Sequence, residues 1–246
     1  MKIAIDIKST EGEKTGKGYY TEHLVNALTK IDSKNEYILY SHKNIKGKSI
    51  FYHINLRRRL QKDKPDIFFA PTSYIVPAFA PKGIKVVFTV HDLVAFLFPG
   101  KHNKKATFIE KLTLKKALKK ATKVVCVSKN TAKDLEEKFA YPKSKTEVIY
   151  CAAGDYYRQT DDTEEVRKKY DLPENFILGV GTIEPRKNFE GLIEAFRKVK
   201  NDIKDLYLVI IGTKGWCAGE IDRLKEDLEI KNRIKLTRWA RGEVQW

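Results

Sequence analysis

The chain has 246 residues, 42% of them apolar and 33% charged, with a formal net charge of +16. That apolar share excludes a disordered tail, and the length allows one large domain or two modest ones. Cys126, Cys151 and Cys217 show no C-x-x-C spacing, which excludes a disulfide framework and a zinc ribbon and fits a reducing cytosol; no apolar run approaches the roughly 20 residues of a membrane-spanning helix.

The opening MKIAIDIKST has too short an apolar stretch for a signal peptide and reads as a first strand, IAIDI at 3–7. TGKGYYTEHLVNAL follows, placing Gly16 and Gly18 ahead of an amphipathic helix over 18–30 with Leu24, Val25 and Leu28 on one face. Glycine there lets a backbone approach a ligand, and the first amides of a helix are free to meet an anion. A plain turn explains the pair equally well, because the dinucleotide pattern G-x-G-x-x-G breaks at Thr21 or His23.

Strands are expected next at YILYS (37–41), IFYHI (50–54) and DIFFA (66–70), with a helix over 55–63. KVVFTV (85–90) then delivers His91 and Asp92 to a strand's C-terminal end, where open α/β sheets bind ligands. His91 is the best catalytic candidate among the five histidines, although a histidine in that position also serves as a hydrogen-bonded structural residue. His23, His42, His53 and His102 show no acidic or metal-ligand spacing, and no metal site is expected.

KHNKKATFIEKLTLKKALKKATK (101–123) spans a helix over 104–121 with Phe108, Ile109 and Leu112 on one face and lysines around the rest. It is the densest part of an uneven distribution: residues 1–170 hold 34 Lys and Arg against 19 Asp and Glu, whereas residues 171–246 hold 14 against 13. A solvated helix face, a surface for anionic lipid and, less readily, a nucleic-acid surface all fit. KVVCV (123–127), a helix over 129–139 and TEVIY (146–150) complete an alternation of strands and helices that belongs to βαβ units around a parallel sheet. Residues 1–160 are therefore expected to form one Rossmann-like domain.

After the polar stretch 158–175, a second series begins: FILGVG (176–181), a helix near 188–200, LYLVIIG (206–212), a helix near 218–229 and RIKLT (233–237). Residues 171–246 thus read as a second Rossmann-like domain with too few strands to cover both sheet faces. Leu208, Ile210 and Leu236 are expected to lack partners, and the chain is expected to be C-terminally truncated. Within this series the first strand ends at Gly181 and Thr182, Pro185 fixes the turn, Asn188 is placed as N-cap, and Phe189, Leu192, Ile193 and Phe196 bury a helix. Arg186 and Lys187 stand side by side where a helix N-terminus already carries partial positive charge. Exposed loop cations and a phosphate or diphosphate site both account for them.

The stretch FILGVGTIEPRKNFEGLIEAF (176–196) resembles the start of the C-terminal domain of glycosyltransferase family 4, the group 1 glycosyltransferases, in which this pattern holds the diphosphate of a nucleotide sugar. The Gly-x-Gly-x-Tyr-Thr turn at 16–21, the strand-His-Asp-Leu segment at 88–93, the strand-Val-Ser segment at 124–128 and EVIY at 147–150 match in the same order. The resemblance implies an α/β fold of GT-B type, here one complete Rossmann-like domain on the acceptor side followed by an incomplete, nucleotide-sugar-binding one. It implies retaining transfer of a sugar, mannose or glucose, from a UDP- or GDP-sugar to a glycan or lipid-linked acceptor in cell-surface polysaccharide synthesis. No cofactor, metal or nucleic acid is implied, and the location is cytoplasmic, with peripheral contact to the anionic inner face of the membrane.

Carried over by position, Arg186 and Lys187 neutralise the donor diphosphate, with Gly181 and Thr182 also among the substrate-binding residues. Gly16 and Gly18 approach the phosphates, and His91, beside Asp92, sits near the reacting sugar and acceptor. Two departures stand out: Gly181-Thr182 replaces the Gly-Arg of many relatives, and no Glu-x7-Glu element follows. An inactive fragment and a basic module binding lipid or nucleic acid are the alternatives.

Overall fold

The computed structural model describes residues 1–12, 14–47, 50–97, 104–154, 159, 163–212 and 230–237. The chain divides into two units, Met1–Ala152 and Ala153–Trp246. In the first, β1 (Lys2–Asp6), β2 (Glu36–Tyr40), β3 (Ile67–Ala70), β4 (Lys85–Val90), β5 (Ala121–Cys126) and β6 (Thr146–Val148) form a parallel sheet in the order β2-β1-β3-β4-β5-β6. Near-continuous apolar runs such as IFFA and VVFTV suit strands covered on both faces.

Alternate residues of each strand divide between two cores. On one face, α1 (Gly16–Ile31) lays Val25, Leu24 and Leu28 on Ile3, Ile5, Phe69 and Val87. On the other, Ala4, Phe68, Val86, Phe88 and Val90 meet α2 (Ile50–Asp63), α3 (Ile75–Ala78), α5 (Lys104–Lys120) and α6 (Lys129–Phe139); a short α4 (Val94–Leu97) precedes α5.

Residues 50–54, expected as a strand, instead open α2. Tyr52, Leu56 and Leu60 recur at helical spacing and are fully buried, while Phe51 and Ile54 are exposed. A five-residue β-branched and aromatic run does not distinguish the two states, and the parallel strands β2 and β3 require a helical crossover of this kind. On α5 the buried stripe is Thr107, Thr113, Leu114, Ala117 and Leu118, not the face expected from sequence. Phe108 and Leu112 are exposed among the lysines.

His53, on α2, encloses an Nδ1 that has no hydrogen-bond partner. Burial, with Lys8 and His42 nearby, pushes its pKa down to about 4, below its ordinary 6.5. Because the folded pKa is the lower one, the neutral imidazole's contribution is intact above the unfolded pKa of about 6.5 and is lost as pH falls toward the folded value. Asp6 works the other way, since burial raises its carboxyl pKa. The comparison that isolates His53 is therefore between variants: between about pH 7 and about pH 4.5, His53→Gln is expected to lose less urea stability than the unsubstituted chain. Equal losses mean that the fold protonates His53 without penalty.

The second unit carries β7 (Asn175–Val180), β8 (Leu206–Ile211) and β9 (Ile234–Thr237) in a parallel sheet of that order, with α8 (Phe189–Val199) between β7 and β8. The polar stretch ahead of β7 also forms a helix, α7 (Glu164–Lys169). Ile177, Leu208, Ile210, Ile234 and Leu236 pack against Phe189, Ile193, Phe196 and Ile230. Leu208 and Ile210 are fully buried, which corrects the expectation that they lack partners: they lie on the central strand and face α8. Leu178 and Val180, on the opposite face of β7, are exposed. The helix expected over 218–229 lies outside the described residues. Among those described, no helix is long and apolar enough to cross a membrane.

Candidate functional site

In the first unit β1 ends at Asp6, a 3-10 turn spans Lys8–Thr10, and α1 begins at Gly16. The buried Asp6 carboxylate accepts from Tyr52 Oη at 2.8 Å and from the Lys8 amide at 3.2 Å, which pins the start of the connecting loop. Ser9 Oγ donates to Thr21 Oγ1 at 2.9 Å, fastening the loop to α1. A Cβ at Gly18 would stand 2.4 Å from the Ser9 carbonyl oxygen, so this glycine serves the crossing of loop and helix. Gly16 meets nothing within 4 Å. Thr15 provides no side-chain cap, so the open end of α1 presents backbone donors and the positive end of its dipole.

At the end of β4, His91 is half-buried. Its Nε2 lies 2.9 Å from the Pro71 carbonyl oxygen, which can only accept, so Nε2 carries the proton and Nδ1 keeps a lone pair. Burial lowers the His91 pKa from its ordinary 6.5, with Lys17 acting in the same direction and the Pro71 carbonyl and Asp92 opposing. The ring is held edge-on against Tyr20 at 4.9 Å between centroids, and Tyr20 Oη lies 3.1 Å from Thr89 Oγ1. Thr131 Oγ1 donates to the His91 carbonyl at 3.3 Å. The result is a neutral, fixed imidazole with one acceptor atom. Exposed Asp92 accepts from the Val94 amide at 3.2 Å and so fastens the start of α4.

Tyr20 and Pro71 were not singled out from sequence. Tyr20 is the tyrosine of Gly-x-Gly-x-Tyr-Thr and could have been found. Pro71 becomes a neighbour only through the pairing of β3 with β4, which no local pattern encodes.

In the second unit, the Gly181 amide donates to Ile211 at 2.9 Å and the chain then turns with φ +149° at Gly181. A Cβ at Gly212 would fall 1.9 Å from the Gly181 carbonyl oxygen, so the ends of β7 and β8 meet through glycine. Ile183 is buried and anchors the turn. Pro185–Lys187 form a separate 3-10 turn, and Asn188 follows in the left-handed region with φ 53° and ψ 41°. Its side chain does not cap α8, contrary to the sequence expectation; it lies against Gly191, where a Cβ would meet its Nδ2 at 2.5 Å. The stem of Lys187 runs beside Gly181, 3.8 Å from where a Cβ would stand. Lys187 and Thr182 are exposed, and the side chain of Arg186 lies outside what is described.

Gly181, Lys187 and the uncapped start of α8 therefore come together at one strand end, and Gly16, Tyr20 and His91 belong to the strand ends of the first unit. No group of three or more His, Cys, Asp or Glu among the described residues is placed to hold a metal.

Residues 31–153 match the family model for Glycosyltransferase Family 4, and residues 162–244 match that for Glycosyl transferases group 1. The chain belongs to glycosyltransferase family 4. Its two parallel-sheet units are those of the GT-B fold class. O-antigen chain mannosyltransferase B of Escherichia coli is 28% identical over 162 residues, covering 64% of this chain and 41% of that protein. The N-acetylgalactosamine-N,N'-diacetylbacillosaminyl-diphospho-undecaprenol 4-alpha-N-acetylgalactosaminyltransferase of Campylobacter jejuni is 26% identical over 185 residues, covering 74% of this chain and 47% of that one. The chain thus spans less than half the length of these two relatives. Among solved structures, that of Anabaena HepE in complex with UDP-glucose superposes with a TM-score of 0.73 at 16% identity, over 98% of this chain and 69% of HepE.

Proposed function

We propose that this family 4 chain serves the transfer of a sugar from a UDP- or GDP-sugar to a glycan or lipid-linked acceptor, with retention at the anomeric carbon, in the synthesis of cell-surface polysaccharide. The observation that carries the reading is the end of β7, where Lys187 folds along the Gly181 turn ahead of an uncapped α8. Negative charge grows on a departing nucleoside diphosphate, so a cation and free helix donors fixed in advance stabilise the transition state more than the ground state. Residues 171–246 are accordingly the donor side, with Gly181, Thr182, Arg186 and Lys187 at the diphosphate.

Residues 1–160 are the acceptor side. The open start of α1 at Gly16, supported through Gly18, offers further phosphate donors, and His91 Nδ1 accepts a hydrogen bond from a hydroxyl at the reacting sugar, with Asp92 beside it. A mannosyltransferase and a diphospho-undecaprenol enzyme among the relatives support a hexose and a lipid-linked acceptor, and UDP-glucose in HepE supports a nucleotide-sugar donor. The lysines and exposed Phe108 and Leu112 of α5 support peripheral attachment to anionic membrane on the cytoplasmic side.

The test is transfer from radiolabelled UDP- and GDP-sugars to bacterial lipid extracts, with the product's anomeric configuration read by NMR. An α-linked product from an α-linked donor is expected. Inversion overturns the stereochemical part, and absence of transfer from every donor overturns the reading as a whole.

A further inference from the structure

The side chain of Tyr20 joins the start of α1 to the end of β4. Along α1 it stands one turn ahead of Leu24 and two ahead of Leu28, the row that packs on the sheet. Along β4 alternate residues share a side, so Val87, Thr89 and His91 fall on the side that α1 covers. Tyr20 reaches the last two of these at once. Its Oη lies 3.1 Å from Thr89 Oγ1, and its ring centre lies 4.9 Å from that of His91, with the two planes at 83°.

This contact decides something that the hydrogen bond at Pro71 leaves open. Nε2 lies close to the axis of the Cβ–Cγ bond, so rotation about that bond moves it little, and one acceptor at 2.9 Å restrains the rotation weakly. Half a turn exchanges Nδ1 with a carbon, and the acceptor atom is lost from the position it held. A ring set nearly perpendicular against the imidazole resists that rotation, because the turning edge would run into it. Tyr20 is itself held. Thr89 is fully buried with Tyr20 Oη as its hydroxyl's partner, so swinging the phenol away would strand a buried polar group.

We propose that Tyr20 is a positioning residue for sugar transfer: its ring sets the rotation of the His91 imidazole so that Nδ1 faces the reacting hydroxyl, and its hydroxyl, through Thr89, steadies the ring. The assignment deepens the role given to His91 and rests on it. Tyr20 acts through the imidazole and not on substrate, so its loss is felt in kcat, where a small misplacement of a reacting group costs most.

The test pairs long-range ¹H–¹⁵N NMR of the His91 ring, recorded on the full chain without substrate and assigned by its loss in His91→Ala, with steady-state kinetics. At about pH 8, above the ordinary imidazole range, the unsubstituted chain is expected to show one neutral tautomer, protonated at Nε2. Tyr20→Leu and Tyr20→Met keep α1 apolar and helical at this position, and a thermal midpoint near that of the unsubstituted chain shows that they fold. In both, the two ring nitrogens are expected to move toward averaged shifts, and the ring's titration midpoint to rise toward 6.5 as water reaches it. Both are expected to lower kcat at least about tenfold while the donor KM stays within about twofold. Tyr20→Phe keeps the aromatic ring and is expected to recover the single tautomer and a kcat within about threefold of the unsubstituted value.

Unchanged ring signals in Tyr20→Leu and Tyr20→Met overturn the assignment, and if kcat falls all the same, Tyr20 serves the fold alone. A loss in Tyr20→Phe as large as that in Tyr20→Leu also overturns it, because the hydroxyl is then the acting group. Absence of transfer from every donor, with ring signals that change as expected, overturns the proposed function and the catalytic role of Tyr20 with it, while its hold on the imidazole stands.

Discussion

Replacement of His91 by alanine is expected to lower sugar transfer by about 100-fold, the lower end of the range for a positioned acid or base. The expectation follows from how completely the ring is fixed: Pro71 holds Nε2, Tyr20 holds the ring edge-on, and Thr131 holds the backbone. What remains free is Nδ1, and it is an acceptor only while the ring is neutral. Because burial lowers the His91 pKa from 6.5, the neutral form persists at neutral pH, and kcat/KM is expected to fall only on acidification below that value. His91→Ala should also remove this acid limb. Unchanged transfer by the alanine variant, or an acid limb that survives it, leaves His91 as a structural residue of the β4 end.

Lys187→Ala is expected to weaken nucleoside diphosphate binding by about tenfold or more, the loss that accompanies removal of one charge-assisted contact to phosphate. The stem of the side chain runs beside the Gly181 turn and the residue is exposed, so its loss does not disturb the core. Lys187→Arg is expected to recover part of the affinity, because a guanidinium keeps the charge with a different geometry. The same affinity in the alanine variant places Lys187 outside the site.

How much of this was legible in the sequence differs between the two units for physical reasons. β4, β5 and β8 read clearly because burial on both sheet faces writes a continuous apolar run, and α8 reads clearly because Phe189, Leu192, Ile193 and Phe196 repeat at helical spacing. IFYHI misled because its aromatic and β-branched residues carry strand character in a segment where only Tyr52, with Leu56 and Leu60 beyond it, is buried. Phe108 and Leu112 misled in the opposite way: apolar residues on a helix suggest the inner face, and here the inner face is made of Thr107, Thr113, Leu114 and Ala117.

In the site, the glycines and cations were visible as residue types between a strand and a helix. The reasons were less visible. Gly18 answers to the Ser9 carbonyl and Gly212 to Gly181, contacts that exist only once the loops are folded. Asn188 has the composition of an N-cap, yet its backbone is left-handed, φ 53°, and its side chain lies beside Gly191 without making a cap hydrogen bond.

The central claim is that the segment from Gly181 to Gly191 receives the diphosphate of a nucleotide sugar. The most direct measurement is a ¹H–¹⁵N NMR titration of the chain with UDP-glucose and GDP-mannose. The account predicts weak but saturable shifts centred on the amides of Gly181, Thr182, Lys187, Asn188 and Gly191, diminished in Lys187→Ala. Shifts confined to other parts of the chain, or none at any donor concentration while the spectrum remains that of a folded protein, contradict it.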